Sequence, residues 1–128
     1  MDKRIIYARD ALLQVAARYV QKGWNTFFPL TEDIPIDLVI YKKGCFKRVQ
    51  VKSVCMRREA IKIKLRSTNN WSNKKYTSKE IDTIAVFERK EKTCYEIDIQ
   101  EIEGMSEVTL RKSPLKGIIC RQAKNYLL

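Results

Sequence analysis

The chain has 128 residues, 45% hydrophobic and 32% charged, with a net charge of +11, and this fits one unit spanning 1–128. The absence of histidine excludes His-based acid–base catalysis and His-rich metal sites, and there is no phosphate-binding Gly-x-x-x-x-Gly-Lys loop. No apolar run approaches the roughly 18 residues that cross a bilayer, no signal peptide is visible, and Cys45, Cys55, Cys94 and Cys120 are too scattered for a zinc site, so the expected setting is cytoplasmic, with reduced thiols.

Residues from about Arg4 to Gln21 read as an amphipathic helix, with Ile5, Ala8, Leu12, Val15, Ala16 and Tyr19 at three- and four-residue intervals. Gly23 is placed to end it. Trp24 to Leu30 is aromatic-rich and extended, which predicts a first strand or strand-like edge. Ile36 to Tyr41 is a near-continuous apolar strand, Lys42-Lys43-Gly44 a turn, and Phe46 to Val54 the antiparallel return strand. Glu59 to Arg66 alternates Ile61, Ile63 and Leu65 against Lys62, Lys64 and Arg66, which gives a strand with one apolar and one basic face. Ser67 to Ser78 is polar and rich in turn formers and reads as a loop. A short helical turn is expected over Thr77 to Asp82, then strands at Thr83 to Glu88, Thr93 to Ile99 and Glu107 to Arg111. Pro114 and Gly117 break the chain before a short C-terminal helix. This order predicts an α/β (α+β) domain around a central mixed β-sheet flanked by helices.

The charge is unevenly placed. Twelve basic residues and a single acidic one, Glu59, lie between Lys42 and Lys75, so this segment alone carries the whole excess of +11. A solvated basic surface would account for some of it, but the concentration points to a polyanion, because each neutralised phosphate releases counterions. The candidate contacts are Lys42, Lys43, Lys47, Arg48, Arg57, Arg58, Lys62, Lys64, Arg66, Asn69, Asn70, Lys74 and Lys75.

Within the same region, Asp37 opens the apolar strand, and Gln50 and Lys52 share one face of the return strand. Cleaving a phosphodiester calls for a cation that polarises the phosphate, an activated water and help for the departing oxyanion. Mg²⁺ takes oxygen ligands and keeps several waters, so Asp37 is the primary candidate ligand and the Gln50 amide oxygen a neutral one. Lys52 is the candidate for holding the water or the charged phosphate. The plainer alternative is that Asp37 starts a strand after Pro35 while Gln50 and Lys52 decorate a solvated face.

The wider pattern runs through Gly23-Trp24-Asn25-Thr26-Phe27-Phe28-Pro29-Leu30, Ile36-Asp37-Leu38-Val39-Ile40-Tyr41, Phe46-Lys47-Arg48-Val49-Gln50-Val51-Lys52-Ser53 and Tyr76 to Phe87. It resembles the PD-(D/E)XK nuclease superfamily, and within it the small bacterial group I intron homing endonucleases, in which Gln-x-Lys replaces (Asp/Glu)-x-Lys. The resemblance implies a restriction-endonuclease-like core and Mg²⁺-dependent cleavage of double-stranded DNA, with Mn²⁺ as a substitute. It also implies assembly into homodimers or homotetramers. It assigns metal binding to Asp37 and Gln50 and catalysis to Lys52 together with them. Such enzymes commonly add an acid from the N-terminal helix; that register falls near Ala11 and Leu12 here, and Asp10 is the nearest carboxylate to serve as ligand. A junction-resolving nuclease on the same core, or a non-catalytic DNA-binding relative, are the alternatives.

Overall fold

The computed structural model describes residues 1–68 and 73–128. Helix α1 spans Lys3–Gln21, with the Asp2 carboxylate accepting from the Arg4 N–H at 2.8 Å as its N-cap. It ends in a Schellman motif: Trp24 N–H donates to the Tyr19 carbonyl and Gly23 N–H to that of Val20, with Gly23 at φ 89°. Ala11, Val15, Ala16 and Tyr19 are buried, whereas Ile5 and Ala8 of the expected stripe are exposed.

The central sheet has the order β1-β2-β3-β7-β8, formed by Asn25–Phe27, Leu38–Lys42, Cys45–Val54, Thr83–Glu88 and Thr93–Asp98. It is a mixed sheet, antiparallel throughout except for the parallel β3–β7 pair. Lys43 and Gly44, both at positive φ, form the two-residue turn between Lys42 and its partner Cys45. The connection from β3 to β7 carries β4 (Ala60–Lys64), β5 (Arg66–Thr68) and β6 (Asn73–Lys75). Helix α2 (Ile99–Ile102), β9 (Glu107–Arg111), β10 (Arg121–Gln122) and a 3₁₀ turn at Ala123–Tyr126 complete the chain.

Period-two alternation divides the sheet's faces. Leu38, Ile40, Val49, Ala85 and Phe87 pack with α1 in one cluster. Ile84 and Val86 join Ile61, Ile63, Leu65, Val108 and Leu110 in the other, beneath a second sheet of order β10-β9-β4. Each fully buried Ile or Leu contributes about 1.5–3 kcal/mol, which fixes the register of β3.

Three elements depart from the sequence reading. The segment read as a loop contains the antiparallel β5–β6 hairpin, in which Arg66 pairs with Lys75 and Thr68 with Asn73. Its strands are three residues long and polar, too short to show alternation. The first strand covers only Asn25–Phe27, and the C-terminal helix is a single 3₁₀ turn. That turn is held because Leu127 bridges Tyr95 and the Leu128 N–H donates to the Cys94 carbonyl at 3.1 Å. The helical turn at Thr77 rests on two bonds to the Thr77 carbonyl, from the Glu80 N–H at 3.0 Å and the Ile81 N–H at 3.1 Å.

Candidate active site

The β2–β3 register pairs Leu38 with Val49, and the Asp37 N–H donates to the Val49 carbonyl at 2.9 Å. That bond brings Asp37 alongside Val49 just ahead of β2, outside the regular register, while Gln50 and Lys52 share one face of β3. The Asp37 carboxylate accepts from the Val51 N–H at 2.8 Å through Oδ2. Burial pushes the Asp37 carboxyl above its usual range; the Val51 N–H and the Lys52 ammonium pull against this, and Glu32 adds to the rise. A carboxyl held up by burial and by a second carboxylate gains most from a nearby cation. Among the described residues the Gln50 amide has no hydrogen-bond partner.

A cavity of about 300 Å³ opens beside Asp37, lined also by Leu12, Phe28, Pro29, Thr31, Glu32, Ile34 and Ile36. Leu12 therefore occupies the helix wall of this cavity. Asp10 does not line it: two residues along a helix is about 200° of rotation, and the exposed Asp10 carboxylate accepts from the Gln14 amide at 3.3 Å. The second carboxylate on this cavity is Glu32, from the loop between β1 and β2. Nothing in the periodicity of that loop marked it.

Lys52 donates to the Tyr76 hydroxyl at 2.9 Å, with its ammonium 4.9 Å from the ring centroid. It also lines the end of a basic groove. One part, about 430 Å³, is bounded by Lys52, Ser53, Val54, Cys55, Arg57, Lys62, Lys64 and Arg89. A contiguous part of about 890 Å³ adds Arg58, Ala60, Glu107 and Arg111. Glu88, 1% exposed, ties the chain at Met56 to the turn after β7, its carboxylate accepting from the N–H groups of Met56, Lys90 and Glu91 at 2.7–3.0 Å.

The groove sorts the basic residues singled out from sequence. Arg57, Arg58, Lys62 and Lys64 line it, and Arg89 and Arg111, outside the basic segment, join them. Lys42 and Lys47 lie on the α1 side, bracketing the Trp24 ring at 5.7 and 5.5 Å. Lys42 also donates to the Lys22 carbonyl at 2.9 Å. Arg48 is engaged with Asp82, Ser78 and Lys79, so its guanidinium staples the sheet rather than facing the groove. Lys43 sits exposed in the β2–β3 turn, while Arg66 and Lys75 donate to Ser106 Oγ and the Gly104 carbonyl. Asn69 and Asn70 lie outside the described residues, and of Lys74 only the position in β6 is described.

Residues 8–124 match the sequence model of the PD-(D/E)XK endonuclease family. The chain belongs to this family. The endonuclease also shares its fold with a solved bacterial homing endonuclease, I-Ssp6803I, at a TM-score of 0.80 and 20% identity, over 98% of this chain and 89% of the other. No curated protein sequence matches it. Among the described residues no helix of the endonuclease is long and apolar enough to cross a membrane.

Proposed function

We propose that this endonuclease hydrolyses phosphodiester bonds of double-stranded DNA with Mg²⁺, or Mn²⁺ in its place, as a site-specific homing endonuclease. It would act in the cytoplasm, with residues 1–128 working as one unit. The observation that supports this reading is the Asp37 carboxylate seated on the Val51 N–H, between Gln50 and Lys52 in β3, with Lys52 lining the end of the basic groove. The oxygen donors of Asp37, Gln50 and Glu32 fit a hard cation that binds through a few protein oxygens and retains water. Among the described residues no group of three or more acidic, Cys or His side chains clusters, so a sparse, partly hydrated site is the one supported.

In this mechanism Asp37 would hold the cation with the oxygen left free by the Val51 N–H. Gln50 would add a neutral oxygen, leaving more positive charge on a bound cation than a carboxylate does. A bound Mg²⁺ supplies Lewis-acid polarisation of the phosphate and a water of lowered pKa. The Lys52 ammonium donates to the attacking water or to a non-bridging phosphate oxygen, stabilising the charge that grows in the pentavalent transition state. Arg57, Lys62, Lys64 and Arg89 hold the flanking phosphates and so align the scissile one. The departing oxyanion is protonated from solvent.

Cutting both strands calls for two such sites, and an exposed apolar stripe supports a homodimer or homotetramer. Ile6, Leu13 and Val20, seven residues apart on α1, are 48%, 63% and 56% exposed. Sedimentation of a Leu13→Glu variant as a monomer, against an oligomeric native protein, tests this.

The deciding experiment measures nicking and linearisation of DNA carrying candidate target sites with Mg²⁺ or Mn²⁺, for the native protein and for Lys52→Ala. Metal-dependent cutting that disappears in the variant while DNA binding persists supports the reading. Tight binding with no cutting supports a binding-only relative instead, which Leu12 on the cavity wall favours. Cleavage of four-way junctions regardless of sequence supports a junction-resolving enzyme.

A further inference from the structure

Lys52 is held in an unusual way for a charged residue on a sheet. Its ammonium donates to the Tyr76 hydroxyl at 2.9 Å and stands 4.9 Å from the centroid of the same ring. Among the described residues no carboxylate lies within ion-pairing distance of it. Tyr76 is 5% exposed and packed in the cluster formed by Ile61, Ile63, Leu65 and Ile81. Its N–H donates to the Leu65 carbonyl at 3.3 Å, so the residue also closes the base of the β5–β6 hairpin.

A lysine side chain gives up rotamer freedom when fixed, and a neutral partner that is itself immobile can hold it without cancelling its charge. A carboxylate would hold Lys52 more tightly but would compete with phosphate for the ammonium. The phenol and the ring face give direction alone, through a charged hydrogen bond and a cation–π contact.

We propose that Tyr76 is a positioning residue: its buried ring and hydroxyl aim the Lys52 ammonium at the end of the basic groove, and tie that aim to the β5–β6 hairpin. This rests on the role given to Lys52 above.

The test compares Tyr76→Phe, which keeps the ring, with Lys52→Ala and the native protein. Three quantities are read: single-turnover cleavage with Mg²⁺, DNA affinity with Ca²⁺, and the Lys52 ammonium signal in ¹⁵N-lysine NMR of the DNA-free protein. The expected result for Tyr76→Phe is a rate about tenfold lower at unchanged DNA affinity, as for a lost charged hydrogen bond, and loss of the protected ammonium signal. Rate and signal both unchanged, with Lys52→Ala inactive, overturn the positioning role and leave the parent reading intact. A slower variant that keeps the signal but melts at lower temperature overturns it too, since the loss is then structural. Cleavage by Lys52→Ala at the native rate removes the parent role and this one together.

Discussion

Arg48 and Asp82 face each other in a two-pronged pair, Nε to Oδ2 and Nη2 to Oδ1, each at 3.0 Å. The same Asp82 oxygen accepts the Arg48 N–H at 2.7 Å, and the guanidinium goes on to the carbonyls of Lys79 and Ser78. One side chain thus closes the turn leading into β7 against β3, the strand that carries Gln50 and Lys52. Asp82 is held below the usual carboxylate range, first by the Arg48 side-chain bonds, and the Arg48 guanidinium is held above its own.

Arg48→Ala should therefore lower stability by roughly 1–2 kcal/mol, a figure discounted for side chains 33% and 39% exposed. The chemical unfolding midpoint should fall, while DNA affinity measured at a temperature where the variant is folded should change little. A large affinity loss without a stability loss would return Arg48 to the DNA-contacting set.

Acid should destabilise the fold through two carboxylates. Burial alone would raise Glu88, but the N–H groups of Glu91, Met56 and Lys90, with Arg89 nearby, outweigh it and hold the carboxyl below its usual range. Asp82 is lowered as well. A carboxyl depressed in the folded state contributes stability that is complete above its unfolded pKa, about 4 for these side chains. This contribution is lost as pH falls through the lower folded value. The thermal midpoint should drop below about pH 4, and Glu88→Gln should be less stable at pH 7 with a flatter acid limb. An acid limb as steep as the native one would show that Glu88 is not a source of it.

At the proposed cation site, Glu32→Gln should weaken Mn²⁺ binding about tenfold by calorimetry with the fold unchanged, the scale of losing one supporting carboxylate. Asp33→Asn is the matched control, because Asp33 accepts from the Thr31 hydroxyl at 2.9 Å and does not line the cavity. Leu12→Glu, which sets a carboxylate on the helix wall, should restore affinity in the Glu32→Gln background. Equal Mn²⁺ affinity in the native and Glu32→Gln proteins would remove Glu32 from the site.

For DNA, Arg89→Ala and Arg111→Ala should each weaken binding across all sequences and reduce the slope of log affinity against log salt by about one. Lys42→Ala and Lys47→Ala, on the opposite side of the sheet around Trp24, should leave that slope unchanged. Reversal of the two pairs would move the DNA to the α1 side.

Some of this was readable from the chain and some was not, for identifiable reasons. The β2–β3 hairpin and the shared face of Gln50 and Lys52 were legible because a strand repeats every two residues and a short turn fixes the pairing. The mixed sheet followed from well-patterned strands. Glu32 stayed hidden because the segment from Leu30 to Pro35 has no periodicity, and Glu32 and Asp33 differ only in their tertiary surroundings. Arg89, just after β7, and Arg111, at the end of β9, reach the groove from outside the basic segment. Charge counting also does not separate Arg48, spent on Asp82, from Lys62, which is free to meet solvent.

The two faces of β3 set a rule of parity for change in this part of the chain. Its odd positions, Val49 and Val51, pack toward α1, while the even ones, Gln50 and Lys52, lie on the other face and are the residues proposed for the cation and the phosphate. The Lys43–Gly44 turn can grow by residues in pairs, one to each strand, and every such addition leaves Leu38 paired with Val49. A single inserted residue before Gln50 exchanges chemistry for core unless a bulge absorbs it. Length variation in this hairpin should therefore be tolerated in steps of two and lethal to cleavage in steps of one.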